Sequence, residues 1–287
     1  MSITEHHAAH FADNQANWDD RAHSHMSGNY GGHEQLLADP TFITPELAQD
    51  IFRFGDLSGK NVLHLQCHVG TDTICFPRLG ARRTVGLDLS PESLHYAQQL
   101  SDATSAQLEL VQSNVYDARA AVDGRFDLVY TSLGVLCWLP DIDAWAQTVA
   151  SLVAPGGQFF IRDDHPMFMT IDENTSHGLL VTQPYFQTTE PLTWESDTSY
   201  TNDADALPIS HSTNHQWNHS LGQTLTALIK AGLIIDDVEE TEYSAWCPWP
   251  ELMVEDNGRW RLRDNPQRLP LQFAIHAHKP VPSSLSG

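Results

Sequence analysis

Short apolar segments recur at regular intervals through the middle of the chain, and each is followed by a longer segment that mixes apolar and polar residues. The short apolar runs match buried strands, whereas the mixed segments match amphipathic helices. The strands predicted from these runs are 61–65, 83–87, 108–112, 126–131 and 157–162. The helices predicted between them are 71–79, 91–101, 117–122 and 141–153. This alternation predicts an α/β fold in which helices cover both faces of a parallel sheet.

The regions outside this alternation follow other patterns. Residues 1–55 are polar and predict helical pieces, the last of which begins at Thr44-Pro45. Residues 166–215 carry seven carboxylates, five aromatic residues and neither Lys nor Arg, and we expect an inserted lid with a hairpin over the carboxyl edge of the sheet. A helix at 220–231 and strands at 233–238 and 271–277 then complete the sheet. The predicted parts are an N-terminal helical cap (1–55), a core (56–165), the lid (166–215) and the completion of the core sheet (216–287).

The turn after the first strand and the carboxylate after the second strand are the most informative features. Strand 61–65 runs into the turn 66–70 and a helix start, and strand 83–87 ends at Asp88, 18 residues after Gly70. This arrangement is typical of the first half of a doubly wound nucleotide-binding sheet. An ionised carboxylate accepts hydrogen bonds at both oxygens, so Asp88 suits the two hydroxyls of a ribose.

Composition narrows the classes of partner. The chain has 15 Lys and Arg against 37 Asp and Glu, a formal charge of −22, which argues against nucleic acid and anionic membrane surfaces. Four cysteines without C-x-x-C spacing indicate reduced thiols. The N-terminus has no signal-peptide pattern, and the longest apolar-rich stretch, 128–139, is too short to span a bilayer. We therefore expect a cytoplasmic protein.

Taken in order, these segments resemble the class I S-adenosylmethionine-dependent methyltransferases, from about 61 to 162 and more weakly over 218–278. The matching segments are 62–70 for the first strand and turn, Asp88 for the ribose-binding acid, 113–117 for the loop after the third strand, 126–133 for the fourth strand and 153–161 for the fifth. The resemblance implies a doubly wound, Rossmann-like, seven-stranded and mostly parallel sheet with an antiparallel last strand. It also implies S-adenosylmethionine as the cofactor.

The turn departs from the family pattern. Gln66 and His68 replace two of the three turn glycines, and His64 replaces the usual acid of the first strand. A pyrophosphate needs glycines for close approach of the backbone, so this turn argues against NAD or FAD. S-adenosylmethionine carries no phosphate and tolerates a bulkier turn. The Leu-Gln-Cys-His turn at 65–68 and the Trp-Leu-Pro-Asp segment at 138–141 resemble a subset of bacterial methyltransferases.

The resemblance also implies a role for each matched residue. Asp88 would hold the ribose, Leu89 and Val115 would pack on the two faces of the adenine, and Asn114 would reach its edge. Arg21, in an N-terminal segment that folds over the cofactor, would bind the methionine carboxylate in bidentate fashion. The complete set of implied cofactor-binding residues is Trp18, Arg21, Gln66, Cys67, His68, Gly70, Asp88, Leu89, Asn114, Val115, Thr131 and Ser132.

Several histidines have more than one interpretation. His165 follows the fifth strand and suits a general base near neutral pH, or it is a structural residue that begins the insertion. His64 fits a hydrogen-bonded core histidine, and His68 either touches a ligand or only shapes the turn. A zinc site from His64, Cys67 and His68 lacks a second ligand pair, so we expect no metal. The N-terminal histidines, expected to form a solvated tail, are His6, His7, His10, His23 and His25.

The predicted function is in-line methyl transfer from S-adenosylmethionine to a small-molecule acceptor. The replaced turn glycines keep an alternative open, which is a non-catalytic module that binds S-adenosylmethionine or S-adenosylhomocysteine. Carboxyl transfer with the same cofactor, or a nicotinamide-dependent oxidoreductase, is a third possibility. The acidic, aromatic insertion either recognises a cationic or aromatic acceptor or simply packs as a lid.

Overall fold

The computed structural model describes residues 2–28, 30–199 and 207–282. Its helices are α1 (Ile3–His6), α2 (Ala8–Ser27), α3 (His33–Ala38), α4 (Pro45–Ala48), α5 (Ile51–Phe54), α6 (Thr71–Arg78), α7 (Pro91–Thr104), α8 (Ala118–Ala121), α9 (Ile142–Leu152) and α10 (Leu221–Lys230). Its strands are β1 (Asn61–Leu65), β2 (Arg83–Asp88), β3 (Glu109–Gln112), β4 (Phe126–Ser132), β5 (Val153–Asp164), β6 (Leu192–Glu195), β7 (Thr213–Gln216), β8 (Ile234–Thr241), β9 (Met253–Asp256), β10 (Arg259–Leu262) and β11 (Gln272–His278).

Seven strands form one sheet in the order β3-β2-β1-β4-β5-β11-β8. The five strands from β3 to β5 are parallel, and β11 is antiparallel to both β5 and β8. The predicted Rossmann-like sheet with an antiparallel last strand is therefore confirmed. The chain moves outward from β1 to β3 and then returns to the other side of β1 with β4. Such a reversal opens a crevice at the carboxyl ends of the central strands, where ligands bind in open α/β sheets.

Alternating residues of the central strands fill an apolar layer on each face of the sheet. On one face, Val129 of β4 joins the cluster that contains Trp145 and Val149 of α9. On the other face, Tyr130 joins a cluster with Phe76 of α6. Parallel strands covered on both faces read as nearly continuous apolar runs, which is why the sequence pattern located these strands closely.

The N-terminal region differs from the prediction of short helical pieces. α2 is one helix of 20 residues. The residues of α2 that face the cavity are Phe11, Asn14, Trp18 and Arg21, at spacings of three and four residues. They share one face of the helix, but only half of them are apolar. The helix predicted from Thr44-Pro45 is split into α4 and α5.

The insertion contains the predicted hairpin pair, because β6 and β7 are antiparallel and Leu192 lies opposite Gln216. A second hairpin, β9 with β10, lies in the Trp-rich loop before the last strand and was not predicted. The boundaries of the cap, core and lid remain predictions. Within the described ranges, none of the helices combines the length and apolar composition needed to cross a bilayer.

Candidate active site

A cavity of about 830 Å³ lies over the carboxyl ends of the central strands. Its floor comes from the residues that follow β1, β2, β4 and β5. Its roof comes from the cavity-facing residues of α2, from β7, and from the loop 245–249. The cavity therefore sits at the topological switch between β1 and β4, where the fold itself places a ligand site.

Ten of the twelve residues implied for cofactor binding line this cavity. They are Trp18, Arg21, Gln66, Cys67, His68, Asp88, Leu89, Asn114, Val115 and Ser132. The described lining does not include the other two. Gly70 is the left-handed N-cap of α6 (φ 77°), and a Cβ there would lie 3.0 Å from that of Ala97, so it serves the turn and packing. Thr131 instead donates from Oγ1 to the Leu65 carbonyl at 3.0 Å.

Asp88 is fixed at the tip of β2 by backbone donors. The His68 N–H donates to Oδ2 at 2.7 Å, and the Ser90 N–H donates to Oδ1 at 2.9 Å. Burial raises the pKa of Asp88 to about 6, against the opposing effect of these hydrogen bonds. The carboxylate is thus oriented in advance at the cavity edge, and each of its oxygens retains a further acceptor position.

The two residues that replace turn glycines keep the left-handed backbone that a glycine would adopt. Gln66 has φ 55° and His68 has φ 49°, a conformation that is unfavourable for a residue with a Cβ. Their side chains have structural partners. Gln66 Nε2 donates to the Val135 carbonyl at 3.1 Å, and His68 Nδ1 lies 2.9 Å from Ser93 Oγ. The side chains that a glycine would lack therefore tie the turn to the loop after β4 and to α7.

His68 also joins the turn to the N-terminal helix. Its Nε2 lies 2.8 Å from His25 Nδ1, and its ring lies 5.0 Å from that of Trp18. Burial lowers the pKa of His68 to about 3, so both rings of this pair are neutral near pH 7. The expectation of a solvated histidine tail is wrong for His25, which is buried, and for His10, whose ring packs 5.7 Å from that of Trp217.

Helix α2 is held over the cavity by pairing with β7. The Asn14 side chain donates to the His215 carbonyl at 2.9 Å and accepts from its N–H at 2.7 Å, as a neighbouring strand would. Asn17 donates to the His211 carbonyl and accepts from Arg21 Nε, both at 2.7 Å. This amide pairing explains why the helix buries polar residues that the apolar pattern could not reveal.

The cavity is acidic. One guanidinium, that of Arg21, stands among its described lining residues. The lining carboxylates are Glu46, Asp72, Asp88, Asp163, Asp164, Glu173 and Glu195. Of these, sequence reasoning assigned a role only to Asp88. Asp163 and Asp164 could have been predicted as cavity residues, because they directly follow strand 157–162 and the carboxyl ends of parallel strands meet at the ligand edge. Nothing in the sequence pattern indicated that Glu46 lines the cavity.

His165 does not have the position expected of it. Its Nε2 lies 2.9 Å from Glu240 Oε1, and its Nδ1 accepts from the Met167 N–H at 3.0 Å. The described cavity lining contains its neighbours Asp164 and Pro166 but not His165. Its role as a general base stays a prediction that this geometry does not favour.

His64 packs in the core as expected, but only one of its nitrogens has a partner. Nδ1 lies 2.8 Å from Thr73 Oγ1, whereas Nε2 is buried without a partner among the described residues. No group of three or more His, Cys, Asp or Glu in the described ranges has a geometry that could hold a metal ion. All four cysteines are free thiols.

Glu46 makes stability depend on pH. Burial and the nearby Asp72 raise its pKa to about 7, above the usual value of 4.5. The folded state thus holds this proton more tightly than the unfolded state, and wild-type stability is lost as pH rises from about 4.5 through 7. We expect Glu46→Gln to be about 1–3 kcal/mol more stable than wild type at pH 8, with no gain at pH 4. Urea unfolding at both pH values measures this, and a difference independent of pH would contradict it.

Comparisons with known proteins agree with this architecture. Residues 63–159 match the family profile described as a methyltransferase domain. The ubiquinone biosynthesis O-methyltransferase of Cronobacter sakazakii is 34% identical over 128 residues, which are 45% of this chain and 49% of that protein. The corresponding protein of Xanthomonas euvesicatoria is 35% identical over 106 residues, 37% of this chain and 44% of that protein. The chain thus spans about half the length of the curated relatives it matches.

Solved structures match over a larger part of the chain. An S-adenosylmethionine dependent methyltransferase from Mesorhizobium loti has a TM-score of 0.55 at 21% identity, covering 82% of this chain and 97% of that one. Another from Clostridium acetobutylicum has a TM-score of 0.54 at 15% identity, covering 82% and 89%. The chain therefore has the fold of the class I S-adenosylmethionine-dependent methyltransferases. Residues 63–159 match the methyltransferase-domain profile, and the resemblance predicted from the sequence is confirmed at the level of the fold.

Proposed function

We propose that this protein transfers a methyl group from S-adenosylmethionine to a small molecule bound in the same cavity. The observation that carries the proposal is the Asp88 carboxylate, held by two backbone N–H groups at the tip of β2 and facing a cavity at the switch point of the sheet. The charge of −22 supports a small molecule rather than a nucleic acid as acceptor. The free thiols support a cytoplasmic location.

The residues around the cavity fit S-adenosylmethionine along its length. Asp88 would bind the ribose hydroxyls, with Leu89 and Val115 on the faces of the adenine and Asn114 at its edge. Gln66 is suited to the methionine end, because its buried Oε1 has no partner among the described residues and can accept from an ammonium group. The remaining implied residues at that end are Trp18, Arg21, Cys67, His68 and Ser132.

The chain's contribution to the reaction is positioning and exclusion of water. The bound cofactor supplies an activated methyl group on a sulfonium, and its leaving group is a neutral thioether. The cavity residues hold the acceptor in line with that methyl group, which is worth about 7–11 kcal/mol when two reactants are well oriented. Helix α2 and the β6–β7 hairpin line the roof of the cavity and would limit the access of water to the bound substrates.

The turn residues favour one other candidate function. Gln66 and His68 stand with left-handed backbone at two positions where the methyltransferase pattern has glycine, and this departure would suit a module that binds S-adenosylmethionine or S-adenosylhomocysteine without catalysis. A methyl-transfer assay distinguishes the two functions. Tight cofactor binding without methylation of any acceptor in a broad screen would favour the non-catalytic module.

Calorimetric titration with S-adenosylhomocysteine tests the cofactor assignment. We expect Asp88→Ala to weaken binding about 10- to 100-fold, because charge-assisted hydrogen bonds to the ribose are lost. Asp143→Ala is a matched control, since Asp143 lies on the exposed surface of α9 near Lys230. It should bind like the wild type. Unchanged affinity in Asp88→Ala, or no binding by the wild type, would disprove the proposed cofactor site.

A further inference from the structure

One side of the cavity is built around carboxylates that accept hydrogen bonds from hydroxyl groups. Asp72, in the first turn of α6, accepts from Thr44 Oγ1 and, at 3.0 Å, from Ser132 Oγ. Tyr130 Oη lies 3.4 Å from Asp72 Oδ2. The Glu46 carboxyl is near enough for the charge of Asp72 to raise its pKa. These groups bring two carboxylates together beside the end of β4.

A third carboxylate continues this surface along β5. Ser132 is paired with Arg162 in the sheet, and Asp164 lies two residues further along the same face of β5. Asp164 accepts from Trp246 Nε1 at 3.0 Å and from Gln272 Nε2 at 3.4 Å. We call the three carboxylates the acidic floor, which consists of Glu46, Asp72 and Asp164.

Among the described residues that line the cavity, Arg21 is the one Lys or Arg. It lies on the roof, where its guanidinium is 5.7 Å from the centre of the Trp18 ring. Burial and neighbouring carboxylates raise the pKa of Glu46 and of Asp164 to about 7. A cationic ligand beside these carboxyl groups would oppose both effects and favour their ionised form.

A buried histidine nitrogen independently indicates a hydrogen-bond donor on the ligand. His64 is 3% exposed, lines the cavity, and packs its ring 4.9 Å from that of Tyr130, whose hydroxyl reaches Asp72. His64 Nδ1 lies 2.8 Å from Thr73 Oγ1, and the tautomer in which Nδ1–H donates to this hydroxyl leaves the lone pair on Nε2. This lone pair has no partner among the described residues. A buried acceptor of this kind is costly unless a ligand donates to it.

Aromatic rings stand beside the acidic floor. Trp246, which donates to Asp164, lies 5.6 Å from Phe168, and Phe168 lies 5.1 Å from Trp249. All three rings line the cavity. Aromatic faces next to carboxylates attract organic cations through their quadrupoles and through charge.

We propose that the methyl acceptor is an amine, whose ammonium form binds between the acidic floor and the His64 lone pair while its apolar group packs on Phe168, Trp246 and Trp249. This inference rests on the proposed function and specifies its substrate class. It assigns nitrogen as the methylated atom. Glu46 and Asp72 touch the acceptor nitrogen, and Asp164 binds the cation from the β5 side.

The step is balanced without a further reactant. The bound ammonium gives one proton to the Glu46 carboxylate, which leaves a neutral amine with a free lone pair. That lone pair forms the new N–C bond to the methyl carbon, while the C–S bond of the donor breaks and its electron pair stays on sulfur. The methylated amine carries the positive charge away, and Glu46 returns its proton to solvent. A carboxyl with a pKa near 7 can both accept and release this proton at neutral pH.

Matched probes with one skeleton and different end groups test the inference. We would titrate phenethylamine, 2-phenylethanol and 3-phenylpropionate, and the indole series tryptamine, tryptophol and indole-3-propionate, onto protein saturated with S-adenosylhomocysteine. In at least one series we expect the amine to bind about 10- to 100-fold more tightly than its alcohol and acid. Mass spectrometry with S-adenosylmethionine should find an N-methyl product and no O-methyl product.

Variants then assign the preference to the acidic floor. Glu46→Gln and Asp164→Asn should each reduce the amine preference to about threefold or less, because a neutral amide no longer attracts the cation. Both should keep the wild-type affinity for S-adenosylhomocysteine, which shows that they fold, and Asp143→Asn should keep the amine preference. Binding of S-adenosylhomocysteine with no amine preference in either series overturns this inference alone. No binding of S-adenosylhomocysteine overturns the proposed function as well.

Discussion

Replacing Asp50 with alanine is expected to destabilise the folded protein by about 3–5 kcal/mol, the largest effect among these predictions. Asp50 and Arg162 are 0% and 3% exposed. Arg162 Nε donates to Asp50 Oδ2 at 2.6 Å, and Arg162 Nη2 donates to Oδ1 at 2.7 Å. Removing the carboxylate leaves Glu239 as the remaining carboxylate partner of Arg162 among the described residues, and it also removes a partner of Arg53. Urea unfolding of the variant at pH 7 measures the loss.

The double variant Asp50→Leu/Arg162→Met provides the control. It removes both charges and fills the space with apolar atoms, so it should lose much less stability than Asp50→Ala, and a buried pair replaced in this way can even be neutral. A double variant as unstable as the single one would mean that packing, rather than an uncompensated charge, dominates at this site.

The same ion pair affects the cavity. Asp50 immediately precedes α5, and Glu46 lies in α4 just before it. The bond from Asp50 to Arg162, near the carboxyl end of β5, therefore anchors the segment that carries Glu46 to the sheet. This explains why the helix predicted from Thr44-Pro45 is divided: Asp50 turns inward to reach Arg162 instead of continuing the helical surface.

The central sheet and Asp88 could be predicted because they depend on local pattern. The strands around Val129 are buried on both faces, and their apolar runs leave few alternatives. Asp88 stands at the end of one such run, and its position in sequence fixes its position at the ligand edge.

The roof could not be predicted in the same way, because it is held by polar pairs distant in sequence. Asn14 pairs with His215 across 201 residues, and His25 meets His68 across 43. Neither contact leaves a periodic signal, since buried amides and imidazoles look like surface residues in a hydropathy pattern. The solvated tail expected for the N-terminal histidines was an error of this kind. His165 shows a different limit of prediction from sequence. Its position in the chain indicated the correct edge of the sheet, but not the direction in which its ring points.

Asp163→Asn is the second change expected to have a large effect, because this carboxylate accepts from three backbone N–H groups of the loop after β4. Oδ1 accepts from the N–H groups of Gly134, Val135 and Asp164 at 2.5, 3.2 and 2.8 Å, and Oδ2 accepts from the Leu136 N–H at 2.9 Å. An asparagine keeps one acceptor oxygen and points two N–H donors at the rest. The variant should lose about 2–4 kcal/mol of stability, since several buried donors are left without a partner.

This change should also weaken the binding of S-adenosylhomocysteine about tenfold, because Gly134 and Leu136 line the cavity and their loop would no longer be fixed. Asp127→Asn is the matched control, since Asp127 accepts a single backbone N–H, that of Asn61, at 2.8 Å from the opposite end of the strand. The control should lose only about 1 kcal/mol and leave affinity unchanged. If Asp163→Asn binds S-adenosylhomocysteine as tightly as the wild type at a temperature where both are folded, the loop does not need this carboxylate to form the site, and Asp163 is a residue of stability alone.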